Sequence, residues 1–546
     1  MFLAKYLHSF ASIFIVSAIY SFVNGDVAAE YQNYHDLTVS LQAAARQHPS
    51  LLKIESLGKT AENRDLWLLT MGKAPADEKP AIAILGGVDA YDVAASELCR
   101  RFIDSALRAY GVVDSVTSIL DRLTFYILPR VNPDASEQQF AAIKYDRVRN
   151  SRPVDSDFDG AIDEDDHDDL NGDGYITLMR IADPAGEWMV DPLDPRLMRR
   201  AAPHLDERGA YQLLTEGIDN DKDGAWDEDP AGGVNFNRNF SFNYRPTEGA
   251  GPHPVSEMES RAVADFLFSH PNVALVFCFS QQENLLHPWD VAGDADVQPG
   301  KPITRVLPKD GKFYKFIADQ FKRSTGFDPP PPERGYGAFP EWAYYHYGRW
   351  SFAAPSWCPP AMTAGDTTDV KVKDDPLARE RQLLAWTMKN APNRFVEWSA
   401  FDHPDFPTQK VEIGGFVAGS LNPPSLTKEF TAFFYQLAAY LPKLDVQVKV
   451  EATDQFYRIT ATIINSGYLP TCSELGAKSK WLRKVKAELI LSDAHKLISG
   501  NRFYLIDAIA TVAEKQWSII GKSGSTVKVI VASPSVGYVE KEIRLD

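Results

Sequence analysis

The sequence predicts an α/β unit followed by an all-β one, and three observations carry that reading. Five apolar residues, Ala81 to Leu85, end in Gly86-Gly87 and lead into a helical stretch over residues 93–110. A buried strand that runs through glycines into a helix is the place where α/β folds hold ligands. Two further continuous apolar runs, residues 123–129 and 273–279, have the length of buried strands. Past Pro442 the pattern changes: residues 446–450, 457–463, 485–491 and 527–531 mostly alternate between apolar and polar. Turn residues separate these runs and no helical stretch interrupts them, which predicts a β-sandwich.

At 546 residues the chain is too long for one ordinary core, so two or three domains are expected. A hydrophobic content of 44% supplies those cores, and a net charge of -17 argues against a nucleic-acid partner. Residues 1–25 read as a secretory signal, with Lys5 as the basic start, an apolar run over 10–23 and small residues at 23–25. That run is shorter than the ~20 residues a bilayer span needs. A secreted or periplasmic protein with no membrane span after cleavage is therefore expected. Domains are expected at 26–442, with an acidic insertion at 150–232, and at 443–546. The four cysteines, Cys99, Cys278, Cys358 and Cys472, have no metal-knuckle spacing.

Taken in order, residues 26–53 read as an opening helix, and 54–60 and 66–72 as two strands joined by a polar turn. The strand at 123–129 stops at Asn132-Pro133-Asp134, where proline and Asx side chains make a turn. Ser256 and Glu259, three apart, open a helix through residue 269 in capping-box style. A strand at 411–415 and a helix at 426–441 complete this unit.

In this frame Gly86-Gly87-Val88-Asp89-Ala90-Tyr91-Asp92 resembles the zinc-binding turn of the zinc carboxypeptidase family, Gly-Gly-Ile-His-Ala-x-Glu. Pro129 to Asp134 is similar to the family's Pro-x-x-Asn-Pro-Asp, and Gly233 to Phe240 to its Gly-Val-Asp-x-Asn-Arg-Asn-Phe. Gly335-Tyr336-Gly337, Trp342 and Trp350-Ser351-Phe352 are similar to its closing segment. The resemblance spans residues 30–440 and implies a mixed central sheet flanked by helices. It also implies a cleft for peptides and a zinc ion with three protein ligands and an open position.

The residues at those positions differ from the family's. Asp89 stands for the first ligand, a His, and Asp92 for the second, a Glu. Ser280 stands for the third, also a His, or Gln281 if the register slips by one. Pro355, or Ser356 beside it, occupies the place of the general base Glu, and neither takes a proton from water near neutral pH. Two carboxylates suit magnesium or calcium better than zinc, while Asp92 also fits a helix N-cap and Asp89 a turn. His287 reads as a loop histidine. Asn237 and Arg238 match the pair that holds a substrate carboxylate, a role suited to a guanidinium fork; a buried ion pair would also explain the Arg. Arg147 or Arg149 would supplement it, and Tyr336 is nearest to the family's capping tyrosine. The resemblance also places Cys278 and Cys358 after neighbouring strands, close enough for a disulfide.

The acidic insertion carries a second chemical signal. Asp155, Asp157 and Asp159, then Gly160, Asp163 and Asp166, follow the spacing of a calcium loop. Asp219, Asp221, Asp223, Gly224 and Asp227 repeat it. Asp169, Asn171 and Asp173 repeat its first half, but Arg180 stands where a closing acid belongs. Hard oxygens spaced by two, with glycine at the sharp turn, wrap calcium. Calcium in a structural role, bracing the insertion at the cleft rim, is therefore expected.

Three functions follow as expectations. The first is an exported, zinc-less relative that binds peptide C-termini or similar carboxylates without cleaving them. The second is an active metallocarboxypeptidase with a rearranged metal site, and the third a structural exported protein.

Overall fold

The computed structural model describes residues 31–155, 159–293, 295–329, 331–332, 334–359, 377–417 and 426–545. The leader expectation and Asp157 of the first calcium loop lie outside them. Helix α1 (Tyr34–Gln47), capped by the Asn33 side chain, packs Leu37 and Leu41 inward. It leads to β1 (Leu52–Lys59) and β2 (Asp65–Met71). The fully buried β3 (Ala81–Leu85) follows, then α2 (Val93–Ala109), α3 (Asp114–Arg122) and β4 (Thr124–Leu128). A short α4 (Pro133–Glu137) starts at the Asn-Pro-Asp turn, with the Asn132 side chain at its N-cap.

The insertion contributes β5 (Leu178–Ala182), β6 (Trp188–Val190), β7 (Met198–Arg200) and β8 (Tyr211–Thr215). Then come α5 (Met258–Ser269), β9 (Val273–Phe279), α6 (Pro308–Thr325), α7 (Phe339–Tyr345) and β10 (Trp350–Ala354). Helix α8 (Ala378–Asn390), β11 (Phe395–Phe401), β12 (Val411–Phe416) and α9 (Thr427–Tyr440) close the first part of the chain.

The central sheet runs β1-β2-β4-β3-β9-β10. Its first two junctions are antiparallel and the other three parallel, so the sheet is mixed. Strands β3, β4, β9 and β10 are buried throughout because helices cover both faces. On one face Phe434 of α9, 0% exposed, holds its ring 5.0 Å from both Phe102 and Phe277.

Strand β12 belongs elsewhere than expected. It pairs antiparallel with β5 in a second six-stranded sheet, β11-β12-β5-β8-β6-β7, rather than completing the first. Met179, Ile181, Phe406, Val411 and Ile413 form a small core there. The alternation of residues 411–413 marks a strand but carries no information about its partner. The expected capping box at Ser256 does not form: Glu257 is the N-cap without a side-chain bond, and Ser256 Oγ donates to the Glu257 carboxylate at 2.6 Å. The expected disulfide is absent too. Cys278 and Cys358 are both free and buried. Cys278 sits opposite Ala353 in the parallel β9–β10 pair, and Cys358 lies past the end of β10.

The C-terminal region holds β13 (Leu444–Thr453), β14 (Phe456–Asn465), the short α10 (Glu474–Lys478), β15 (Val485–Ile490), β16 (Lys496–Ser499), β17 (Phe503–Ile506), β18 (Val512–Ile520), β19 (Thr526–Ser533) and β20 (Gly537–Arg544). Two four-stranded sheets, β13-β14-β18-β16 and β17-β15-β19-β20, enclose a separate core around Trp517. The link between β14 and β15 reaches back to the first part of the chain. Asp310 of α6, 2% exposed, accepts the Glu474 amide through both oxygens, at 2.8 and 3.0 Å, and the Tyr344 hydroxyl at 2.9 Å.

This junction predicts a pH dependence. Burial pushes Asp310 up to about 6, above its value in an unfolded chain. The folded protein therefore holds a proton that the unfolded chain has released between about pH 4 and 6, and stability falls as pH rises through that window. Thermal melts across pH 4 to 7 should show this slope reduced in Asp310→Asn, by on the order of 2 kcal/mol over the window.

Candidate functional site in the β3–α2 crevice

The parallel strands β3 and β9 end side by side, and the carboxyl ends of such strands are where α/β sheets form a crevice. Two glycines make the first turn possible. A Cβ on Gly86 would meet the Pro129 carbonyl oxygen at 2.3 Å, and Gly87 has a φ of +66°. The turn then delivers Asp89 and Asp92. The Asp92 carboxylate caps α2, accepting the Ala95 amide at 3.2 Å and the Ser356 hydroxyl at 2.7 Å. Burial, helped by the charge of Asp89, pushes Asp92 up to about 6.

Asp89 is tied from three sides. Its Oδ2 accepts the Gln281 amide at 2.6 Å, its Oδ1 accepts the Asn237 amide group at 3.1 Å, and the Ser280 hydroxyl also bonds to it. Burial raises its pKa, against the hydrogen bonds and the positive charge of Arg379. Arg379, on α8, donates to the Gln281 side chain, and its positive charge acts on Asp89. No motif singled it out; a helix some 290 residues along the chain carries it back over the crevice.

Zinc of the family's type needs three protein ligands and an open position, and the residues present do not fit it. Ser280 Oγ already accepts from Asn237 at 2.8 Å and from the Gln282 amide at 2.9 Å. Proline at 355 offers no proton acceptor on its side chain, and Ser356 is spent on Asp92. Among the described residues, the groupings of three acidic ligand atoms lie in the acidic insertion, and neither includes Asp89 or Asp92. His287 is held by Glu283, 2.7 Å from its Nδ1.

Asn237 and Arg238 part ways. Asn237 is 4% exposed and turned inward, its Oδ1 accepting the Phe339 amide at 3.0 Å. Arg238 is exposed, with one bond to the Glu248 carbonyl at 3.0 Å. Arg149 donates to the Glu248 carboxylate; burial and the neighbouring charge of Arg238 lower its pKa. Arg147 instead donates to the Asn150 carbonyl at 3.4 Å and to Ser151 Oγ at 2.9 Å, beside Glu62. Tyr336 lies beneath Arg245, whose guanidinium is 3.9 Å from the ring centre.

In the insertion the two full acidic loops pair with each other. Asp165 and Asp229 form an antiparallel bridge; the Asp163 amide donates to Asp229 at 3.0 Å and the Asp227 amide to Asp165 at 2.6 Å. Asp219, Asp221 and Asp223 bring ligand atoms within 4.8 Å of one another, and Asp221 also groups with Asp159 and Glu164 of the other loop. Asp155 accepts the Gly160 amide, Asp166 the His167 amide, and Asp163 the Gly232 amide. Asp227 meets His167 through Oδ1, and its Oδ2 is buried without a partner. The half-loop folds its amides onto Asp169 and Asn171, and the Tyr175 amide onto Asp173. Its closing acid is Glu216, which sequence spacing missed. Glu216 is 0% exposed and accepts the amides of Leu170, Asn171 and Thr177. Arg180 turns away to Glu412.

Residues 37–168 match the family model "Zinc carboxypeptidase", and residues 444–544 match "Domain of unknown function (DUF8731)". Human carboxypeptidase B is 35% identical over 105 residues, which are 19% of this chain and 25% of that one. Carboxypeptidase B from Astacus astacus is 24% identical over 266 residues, 48% of this chain and 66% of that one. The chain thus spans less than two thirds of the length of these curated relatives. Among solved structures, carboxypeptidase A from Helicoverpa armigera aligns with a TM-score of 0.38 at 14% identity, over 69% of this chain and 78% of that one. Over residues 37–168, then, the chain is similar to the zinc carboxypeptidase family.

Proposed function

We propose that this protein binds carboxylate-bearing ligands, peptide C-termini foremost, without hydrolysing them, and that it acts outside the cell. The saturation of Asp89 carries this reading: both its oxygens are engaged by Gln281, Asn237 and Ser280. Metal-assisted hydrolysis needs a polarising cation and a carboxylate base, and neither position is chemically equipped here. Arg238 is exposed with its fork largely unused, bonded to the Glu248 carbonyl, so a cation for anion recognition is present where the hydrolytic groups are not. The leader-like residues 1–25 support export, and no helix among the described residues is long and apolar enough to cross a membrane.

A second element of the proposal is a calcium ion in the paired acidic loops. The grouping of Asp219, Asp221 and Asp223 supports it, as does the buried, unpartnered Oδ2 of Asp227. Burial and the facing Asp229 push Glu164 up to about 7, and burial with Asp165 does the same for Glu228. In both, a facing carboxylate adds to the effect of burial.

Two experiments test these readings. Purified protein with saturating zinc is incubated with peptides of varied C-termini. Binding without release of terminal residues is expected, with Arg238→Ala weakening it about ten- to hundredfold, the loss of a charge-assisted bond. Zinc-dependent release abolished by Asp89→Ala would overturn the non-hydrolytic reading. For calcium, a chelator should lower the melting temperature and added calcium restore it, by about 2.7 kcal/mol at a hundredfold excess over Kd. A triple Asp219→Ala, Asp221→Ala, Asp223→Ala variant should lose that response; melting indifferent to chelator would leave the loops merely acidic.

A further inference from the structure

We infer a second ligand site, away from the crevice, for a small anion with an apolar body: a groove between helix α6 and the segment after β9. The groove encloses about 450 Å³, within the range of small-molecule pockets. Its walls have two characters. Trp289 and Tyr314, with ring centres 5.8 Å apart, give an aromatic side, and both are buried. Lys312, Lys315 and Lys322 give the other, with Asp319 as the one acid in the lining.

The helical repeat explains the arrangement. Residues 308, 311, 312, 315, 318, 319 and 322 recur at three- and four-residue steps and so share one face of α6. Gly311 lets the neighbouring segment close in, since a Cβ there would meet a Val291 methyl at 2.6 Å. Three ammonium groups gathered on one face are an exception in a chain of net charge -17. Among the described residues none of the three is in an ion pair; Lys312 Nζ lies 4.8 Å from the Phe313 ring centre. Three like charges beside a single acid repel one another, and an anion between them removes that cost.

Trp289 keeps its Nε1–H shielded from solvent, behind that wall, so recognition falls to the aromatic surface and the lysines. Three cations and an aromatic wall together select a carboxylate, sulfonate or phosphate carried on an apolar body. A sugar or a free amine would leave the ammonium groups without a partner. A bare inorganic anion would leave the aromatic wall unused.

The test is a fluorescence titration of the full chain with 1-anilinonaphthalene-8-sulfonate, an aromatic ring system bearing one sulfonate. The triple charge reversal Lys312→Glu, Lys315→Glu, Lys322→Glu should weaken dye binding at least tenfold at an unchanged melting temperature. The single Lys315→Gln, which keeps the long side chain, should weaken it by a smaller factor and guards against a misfolded triple variant. Decanoate should displace the dye, whereas decanol and inorganic phosphate at the same concentration should not. Dye affinity unchanged in both variants would overturn the inference, as would displacement by decanol or by phosphate equal to that by decanoate.

Discussion

One buried amide holds the crevice together. The Asn237 side chain donates to Asp89 at 3.1 Å and to Ser280 at 2.8 Å, and accepts from the Phe339 amide at 3.0 Å. It therefore ties the turn after β3, the end of β9 and the start of α7 to one point. Its position is itself determined locally: the Asn235 side chain caps the short turn by accepting the Asn237 amide at 2.8 Å. Around that turn Phe236 and Phe240 pack on Phe339, with ring centres 5.9 and 5.1 Å away. Removing the amide would strand a carboxylate in a site poor in water, at a cost of about 1–3 kcal/mol or more for a charged group. The packing of aromatic rings thus fixes a polar network, and the polar network fixes what the crevice can bind.

The acidic insertion obeys the same accounting with a different outcome. Its carboxylates outnumber nearby cations, so backbone amides supply the donors: Asp163 and Asp227 across the paired loops, and Leu170, Asn171 and Thr177 onto Glu216. Amide donors satisfy lone pairs but carry no net charge, so proton affinity rises where two acids face each other, as at Glu164 and Asp229. The second sheet holds this charged region in place, with Arg180 of β5 bonded to Glu412 of β12 at 2.9 Å.

What the sequence revealed and what it hid divide by the reach of each interaction. The glycine turn, the N-cap at Asp92 and the buried strands β3, β4 and β9 are written in runs of a few residues. The alternation past Pro442 likewise announced strands, and two four-stranded sheets form there. Partners set by long-range folding left no local trace. Strand β12 pairs with β5, more than 200 residues earlier, because both present apolar faces to one small core. Glu216 closes a loop that begins at Asp169, and Arg379 reaches a carboxylate at position 89. Ser256 shows the converse: its spacing fits a capping box, yet the helix starts one residue later, with Glu257 at the N-cap, and the Ser256 oxygen accepts the Asn239 side chain instead.

The altered residues of the crevice are best understood as one coupled set. An imidazole offers a metal a single nitrogen lone pair, whereas an ionised carboxylate offers about four acceptor positions and draws N–H and O–H donors to itself. With Asp at 89, the protein has a hydroxyl at 280 that bonds to it, and Ser280 would have no such role beside a metal. With Asp at 92, the hydroxyl of Ser356 is the matching donor, one residue past the proline at 355. Arg379, bonded to Gln281, then brings a positive charge that acts on Asp89. Each side chain makes sense through its neighbours. Restoring a histidine at 89 alone would leave Ser280, Asn237 and the Gln281 amide facing a ring with one acceptor at most, and Arg379 with less negative charge to balance. The arrangement is therefore a self-consistent polar network, and a metal centre would have to displace it as a unit.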